Sequence, residues 1–268
     1  MKKLTVIIGL VCSGLVVVAA LVSLVWTPFD PRKVDGPARF APPGWPHVLG
    51  TDAFGIDTAS RLLVGAQTTL LVGVVAVALA AVIGVPLGVF VGMGHRIAGE
   101  VVARASDILF ALPALLLAIL LAAALGASVT TAAVAIGIAT IPVFQRMARA
   151  ATLTVMSQDY ILAAQVSGIP GGVIAIRHVL PNITPVLGVQ AAASFSMAIL
   201  AEAGLSYLGL SAPQSTPTWG RMLHDANLYA APIQAVIPGV AIAVAVLGFN
   251  LLGDGVRDYL DPRMKELR

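Results

Sequence analysis

Three observations predict an all-α, polytopic membrane protein with six transmembrane helices. First, 58% of the 268 residues are hydrophobic and only 11% are charged, with a mean hydropathy of +0.94. Soluble domains are typically about 45–50% apolar and about 25% charged. The excess apolar surface needs lipid to cover it. Second, the apolarity is gathered into six runs, each free of Asp, Glu, Lys, Arg and His. Third, a proline-rich polar stretch separates the first run from the rest.

The first run, 4–26, follows Lys2 and Lys3. It is long enough for about 35 Å of helix, against a hydrocarbon core of about 30 Å. A secretory signal has a shorter apolar region, about 7–15 residues, so 4–26 is read as an uncleaved first transmembrane helix. Residues 27–61 hold six prolines between Pro28 and Pro46 and charges of both signs. Proline removes backbone donors and breaks helices, so an irregular extramembrane loop is expected. Within and just beyond it, 54–66 is expected to form a short interfacial helix, its Phe54, Ile56, Leu62 and Leu63 alternating with Asp57, Ser60 and Arg61. The remaining spans are 70–91, 108–125, 129–144, 183–200 and 233–252. The run 129–144 is short and is expected to continue as helix through 146–156. Gly73, Gly84 and Gly88 allow helix backbones to approach closely in lipid.

Charge placement orients the chain. Eleven of the 16 Lys and Arg fall on the side of the N-terminus, and five (Arg32, Lys33, Arg39, Arg61 and Arg221) on the other. Positive charge favours the cytoplasm, so both termini are expected there, with the proline-rich loop, the 126–128 turn and 204–231 outside. The net charge of +3 is small, and nothing points to nucleic acid. Cys12, the single cysteine, lies in an apolar run and is not read as a redox or metal residue.

The missing chemistry narrows the function. No lysine lies between Lys33 and Lys265, so no G-x-x-x-x-G-K-[ST] phosphate loop is present. The spans hold no carboxylate or histidine of the kind that ion-coupled transporters place near the midplane. His47, His95, His178 and His224 are scattered without metal-ligand spacing, no Ser/His/Asp arrangement is visible, and no cofactor is expected in this chain. What remains is a passive pore, a scaffold, or a transporter powered by another subunit.

The last option needs a cytoplasmic docking element, and the stretch DYILAAQVSGIPGGVIAIRHVLPN at 159–182 has the right features. Asp159 suits a helix N-cap. A short helix over 160–167 is expected to end at Gly168, which adopts the left-handed conformation readily. Pro170 suits the first turn of a second helix over 171–179. A rigid docking knob and an ordinary interfacial helix both fit these residues.

The stretch resembles the E-A-A-x3-G-x9-I-x-L-P loop of ABC importer permeases. Ala163, Ala164, Gly168, Leu180 and Pro181 match in spacing, while Leu162 stands where that family usually has Glu. Arg177 and His178, leading into Leu180, Pro181 and Asn182, are close to the peptide-type version. Three further segments are similar to the same family. His47 to Asp52 through Gly65 and Ala66 resembles the H-x-L-G-T-D…G-A segment before the second helix. Asp107 to Pro113 resembles the D-x5-P opening of the third. Ala201 to Leu210, continuing to Pro217, Trp219 and Gly220, resembles the E-A-x-L-S-F-L-G-L-G…P-x-W-G segment of the C-type subunit of dipeptide, oligopeptide and nickel importers. Together these cover most of 45–265.

The resemblance implies the type I ABC importer permease fold in a bacterial cytoplasmic (inner) membrane. Residues 1–66 would form an N-terminal helix, outer loop and interfacial helix. Residues 67–268 would form a five-helix core carrying a coupling loop at 157–182. The implied partners are a homologous B-type permease subunit, two ATPase subunits that hold ATP and Mg, and an extracytoplasmic substrate-binding protein. Tyr160, Leu162, Ala163, Ala164, Gly168, Arg177, His178, Leu180 and Pro181 would couple to an ATPase. Glu202, Tyr207 and Trp219 are candidates for an outer gate or a binding-protein contact. For Glu202 a hydrogen bond within the outer loop is the simpler alternative, and Trp219 is expected to anchor at the membrane interface. Thr68, Thr140, Gln190, Ser194, Ser196 and Asn250 fit either a pathway lining or interhelical hydrogen bonds. Import of di- or oligopeptides is the function expected. Nickel or haem cargo is the alternative within the family, and a self-sufficient channel or secondary transporter the alternative outside it.

Overall fold

The computed structural model describes residues 2–94, 96–111, 113–213, 215–229 and 231–260. His95, Leu112, Arg263, Lys265 and Arg268 of the sequence reading lie outside them. The helices are α1 (Lys2–Val25), α2 (Thr58–Gly92), α3 (Arg96–Ala111), α4 (Ala114–Leu125), α5 (Val129–Met156), α6 (Asp159–Val166), α7 (Gly171–Ile174), α8 (Leu180–Tyr207), α9 (Trp219–Leu228) and α10 (Pro232–Leu260). One π-helical turn, Ala175–Val179, joins α7 to α8, so Gly171–Tyr207 is a single rod.

Among the described residues five helices are long and apolar enough to cross a membrane, or six where one bent pair is counted as a single span. The pair is α3 and α4, which meet at 86°. The span expected over 108–125 is therefore two segments. Pro113 explains the break: it sits before α4 in extended conformation (ψ 129°) and has no N–H to continue α3. The fourth run continues as foreseen, since α5 extends to Met156.

The expected interfacial helix at 54–66 is not a separate element. Residues from Thr58 onward are the first turns of α2, which runs unbroken for 35 residues. The division drawn between 66 and 67 lies inside this helix. Its polar start misleads because Thr58, Ser60 and Arg61 are buried against protein rather than lying on a membrane surface.

The central packing is α2 against α5. Gly84, Gly88 and Gly92 lie one turn apart on α2 and face α5. A Cβ built on Gly84 would lie 2.8 Å from Phe144 Cβ, and one on Gly92 would lie 2.6 Å from Thr152 Cβ. No side chain fits there, so the backbones meet directly. On the other flank α1 packs on α10 in the same manner, with Gly9 against Leu252 and Gly248 against Ser13. The outward residues of α1, among them Leu4, Leu10, Leu15 and Leu21, are each more than half exposed, as lipid-facing side chains should be.

Candidate functional site

The candidate residues fall at the two ends of the rod Gly171–Tyr207. The first end begins where α5 stops at Met156. Gln158, in extended conformation, is the N-cap of α6 and provides no side-chain cap. Asp159, the expected cap, sits instead in the first turn. α6 ends as the sequence required. Gly168 has φ +75°, its N–H donates to the Gln165 carbonyl (3.0 Å), and the Ile169 N–H reaches the Ala164 carbonyl (3.1 Å). This double closure is the Schellman pattern. It turns the chain sharply into Pro170 and the start of α7.

The underside of this elbow is locked. Ile161, Ala164, Ile174 and Val179 are buried with Val89 of α2, Ala148 of α5 and Ile183 of α8. A second wall forms where Asn182 Nδ2 donates to the His178 carbonyl (2.6 Å) and to the Tyr160 hydroxyl (3.3 Å). The Tyr160 and His178 rings stand 6.2 Å apart. Leu162, Ala163, Arg177 and Pro181 face outward. The second helix expected over 171–179 does not stop there but continues through Leu180 and Pro181 as α8. The structure thus brings all nine coupling candidates into one stretch that runs from α6 to the first turn of α8.

The other end holds Glu202, Tyr207 and Trp219. Glu202 has no exposed surface, and its Oε1 accepts a hydrogen bond from Ser211 Oγ (3.1 Å). Its Oε2 and the Oγ1 of buried Thr69, which stands beside it, make no hydrogen bond of ordinary geometry among the described residues. Trp219 is 2% exposed, donates through Nε1 to the Leu62 carbonyl (2.9 Å) and packs on Gly65. Neither presents a surface to a binding protein, and Trp219 is an internal bolt rather than an interface anchor. Tyr207 is partly exposed, and its hydroxyl accepts from Asn227 Nδ2 (2.9 Å). Two more bonds pull the 208–218 loop inward: Ser206 to Thr218, and Thr68 Oγ1 to the Pro217 carbonyl (3.3 Å). Thr140, Gln190, Ser194 and Ser196 bond within their helices, and Ser196 also reaches the Val246 carbonyl (3.3 Å). Asn250 is exposed.

Sequence reasoning missed a buried charge cluster beside this end. Arg61 pairs with Asp52 and, at 3.0 Å, with Asp225, which Arg221 also engages at 3.2 Å. Asp57 caps α2 through Ser60 (2.8 Å) and meets His47 Nδ1 at 2.9 Å. The cluster ties the proline-rich loop to α2 and α9. The only sequence signal was the H-x-L-G-T-D segment, because Arg61 and Asp225 are 164 residues apart. Among the described residues no group of acidic, His or Cys side chains could hold a metal ion.

Comparison with known proteins matches residues 84–266 to the family model described as binding-protein-dependent transport system inner membrane component. The chain is 40% identical over 268 residues to the dipeptide transport system permease protein DppC of Escherichia coli K12, covering 97% of this chain and 89% of that one. It is 37% identical to the protein of the same description from Alkalihalophilus pseudofirmus, covering 98% and 88%. It is 39% identical to the di/tripeptide transport system permease protein DppC of Pseudomonas aeruginosa, covering 96% and 88%. Among solved structures it resembles a chain of the inward-facing MetNI methionine ABC transporter. The TM-score is 0.64 at 19% identity, over 75% of this chain and 97% of that one, so the two share a fold.

Proposed function

The chain belongs to the family of binding-protein-dependent transport system inner membrane components, and from that premise we propose that it is a permease subunit of an ATP-driven importer of di- or oligopeptides. As a member of that family it is a multi-pass protein of the cytoplasmic membrane. It is a transport component, not an enzyme, and works within a complex that contains ATPase and other subunits.

In the proposed assembly a homologous B-type permease supplies the other half of the pathway. Two ATPase subunits bind ATP and Mg on the cytoplasmic side, where both termini of this chain also lie. An extracytoplasmic binding protein delivers peptide above. Peptide cargo is supported by the names of the relatives and by the His178 and Glu202 segments of peptide type.

The observation that carries the proposal is the elbow of α6. It follows the end of one membrane-spanning helix, its underside is locked into α2 and α5, and it leads directly into the rod of α7 and α8. At 1.5 Å per residue the rod is about 55 Å long, well beyond a bilayer core of about 30 Å. An ATPase that moves α6 therefore moves a rigid body reaching the outer end of the protein.

Gly168→Val tests this. A Cβ at Gly168 meets no atom within 4 Å, so only the backbone, at φ +75°, opposes the change. Left-handed conformation costs a side-chain-bearing residue about 1–2 kcal/mol, and the elbow is expected to reshape locally. Membrane insertion should persist while peptide uptake is uncoupled from ATP hydrolysis. Normal uptake by this variant would remove the coupling role from the elbow.

A further inference from the structure

Resting on the reading of this chain as a peptide-import permease, we infer that the cavity between the proline-rich loop and α9 binds a short peptide by its free carboxylate end. The cavity lies at the outer end of the protein and has a volume of about 380 Å³. Small-ligand sites run from roughly 300 to 1,000 Å³. The proline-rich loop, the start of α2, the 208–218 loop and α9 all contribute to its lining.

The polar part of the lining is cationic. Arg32, Arg61 and Arg221 line the cavity with one carboxylate, Asp225. A second carboxylate, Asp52, pairs with Arg61 without lining the cavity. One positive charge is therefore left over. Both oxygens of Asp225 are already engaged, Oδ1 by Arg221 Nε (3.2 Å) and Oδ2 by Arg61 Nη2 (3.0 Å), so the site offers donors rather than acceptors. The free donors are the two Nη groups of Arg221 and the exposed guanidinium of Arg32, which makes no ion pair among the described residues. A guanidinium fork grips a carboxylate through two parallel N–H···O bonds.

The rest of the lining is apolar. Phe54 and Tyr229 stand edge to face at 5.8 Å, and Val34 and Leu228 add aliphatic surface. All four are more than a third exposed. A bare anion would leave that surface in water. The last residue of a peptide brings both parts, a carboxylate for the arginines and a side chain whose burial is favourable. The cavity also touches the segment that follows the rod. Pro217 lines it, and the Pro217 carbonyl accepts from Thr68 Oγ1 of α2 (3.3 Å), so a bound peptide bears on the loop that ends α8.

The test uses the assembled transporter in lipid nanodiscs, this chain with its partner permease and ATPase subunits but without binding protein. The probes are the dipeptide alanyl-phenylalanine and its C-terminal amide, and calorimetry reads their binding. The dipeptide should bind about tenfold tighter than the amide, as loss of a charge-assisted bond dictates. Arg32→Gln should abolish that preference, and Arg32→Lys should keep part of it. Arg32 is exposed and its side chain holds no other element in place, so the fold should survive both changes. Val34→Trp fills the cavity without altering a charge and should weaken both probes. Equal binding of the two probes, or binding of neither, would overturn the site. So would an Arg32→Gln variant that keeps its preference for the dipeptide but loses affinity for the binding protein, because the cation would then serve a carboxylate of that protein. Uptake by the complete transporter separates this site from the import reading. Peptide uptake without binding at the cavity removes the site alone, whereas carboxylate-dependent binding without peptide uptake supports the site and removes peptide import.

Discussion

Replacing Gly88 with alanine adds one methyl group where α2 and α5 come closest along their glycine face. The new Cβ would meet the Gln145 carbonyl oxygen directly, with Ala148 Cβ at 2.6 Å and the Arg149 nitrogen at 2.9 Å. Carbon atoms pack best at about 3.5–4.0 Å, so the two helices must part by roughly 1 Å. Backbone and a packed Cβ cannot turn aside as a long side chain could. Overpacking of this kind costs about 1–3 kcal/mol. For a chain of this size each kcal/mol shifts the midpoint by about 2–4 °C, so the apparent Tm should fall by about 2–12 °C. Thermal denaturation of the detergent-purified protein, followed by fluorescence-detected size exclusion, measures this. Gly188→Ala on α8 is the paired control, because a Cβ there meets nothing within 4 Å. Alanine favours helix by about 1 kcal/mol over glycine, so that variant should hold or raise the midpoint. Equal stability of Gly88→Ala and the parent would mean that α2 and α5 do not meet along this face, and the helix arrangement described here would be wrong.

Arg61→Met should destabilise the protein by about 3–5 kcal/mol, because it leaves the buried carboxylates of Asp52 and Asp225 without their shared cation. Limited proteolysis should then open the 28–57 loop before the spans, and an unchanged cleavage pattern would remove the cluster from any role in holding that loop. Glu202→Gln should keep uptake and stability within about 1 kcal/mol of the parent, since the amide oxygen still accepts from Ser211. Loss of peptide uptake at normal expression would show that the carboxylate charge, and not its place in the packed outer end, is what transport uses.

Spans were legible because lipid demands uninterrupted apolar length, and that demand is written locally. The elbow was legible for a similar reason: a left-handed residue after a short helix calls for glycine, and Gly168 supplies it. The start of α2 was misread because Thr58, Ser60 and Arg61 look like a wetted surface until Asp52, Phe29 and Asp225 are known to stand against them. Polarity in a sequence says that partners are needed but not whether water or protein provides them. Trp219 was misplaced on the same ground. Its ring is matched to a glycine, Gly65, whose neighbour in space no spacing rule could name. The bend at Pro113 was half legible, since the proline was seen to open a helix but not to part α4 from α3 by 86°.

The π-helical turn at Ala175–Val179 fixes the rotational phase between the two ends of the rod. In an α-helix five residues advance by about 500°, so Ile174 and Val179 would point about 140° apart. The wider turn, bonded from residue i to i+5, brings residues five apart onto one side. Ile174 is 2% exposed, Val179 is fully buried, and Ile183, one α-turn further on, is 1% exposed. The extra residue in that turn therefore lets the elbow seat its aliphatic underside and α8 seat its own in the same groove. The docking face and the outer loop are thereby held at a set angle about a common axis. Deleting one residue there would shorten the rod hardly at all, yet it would turn one end against the other by about 100°.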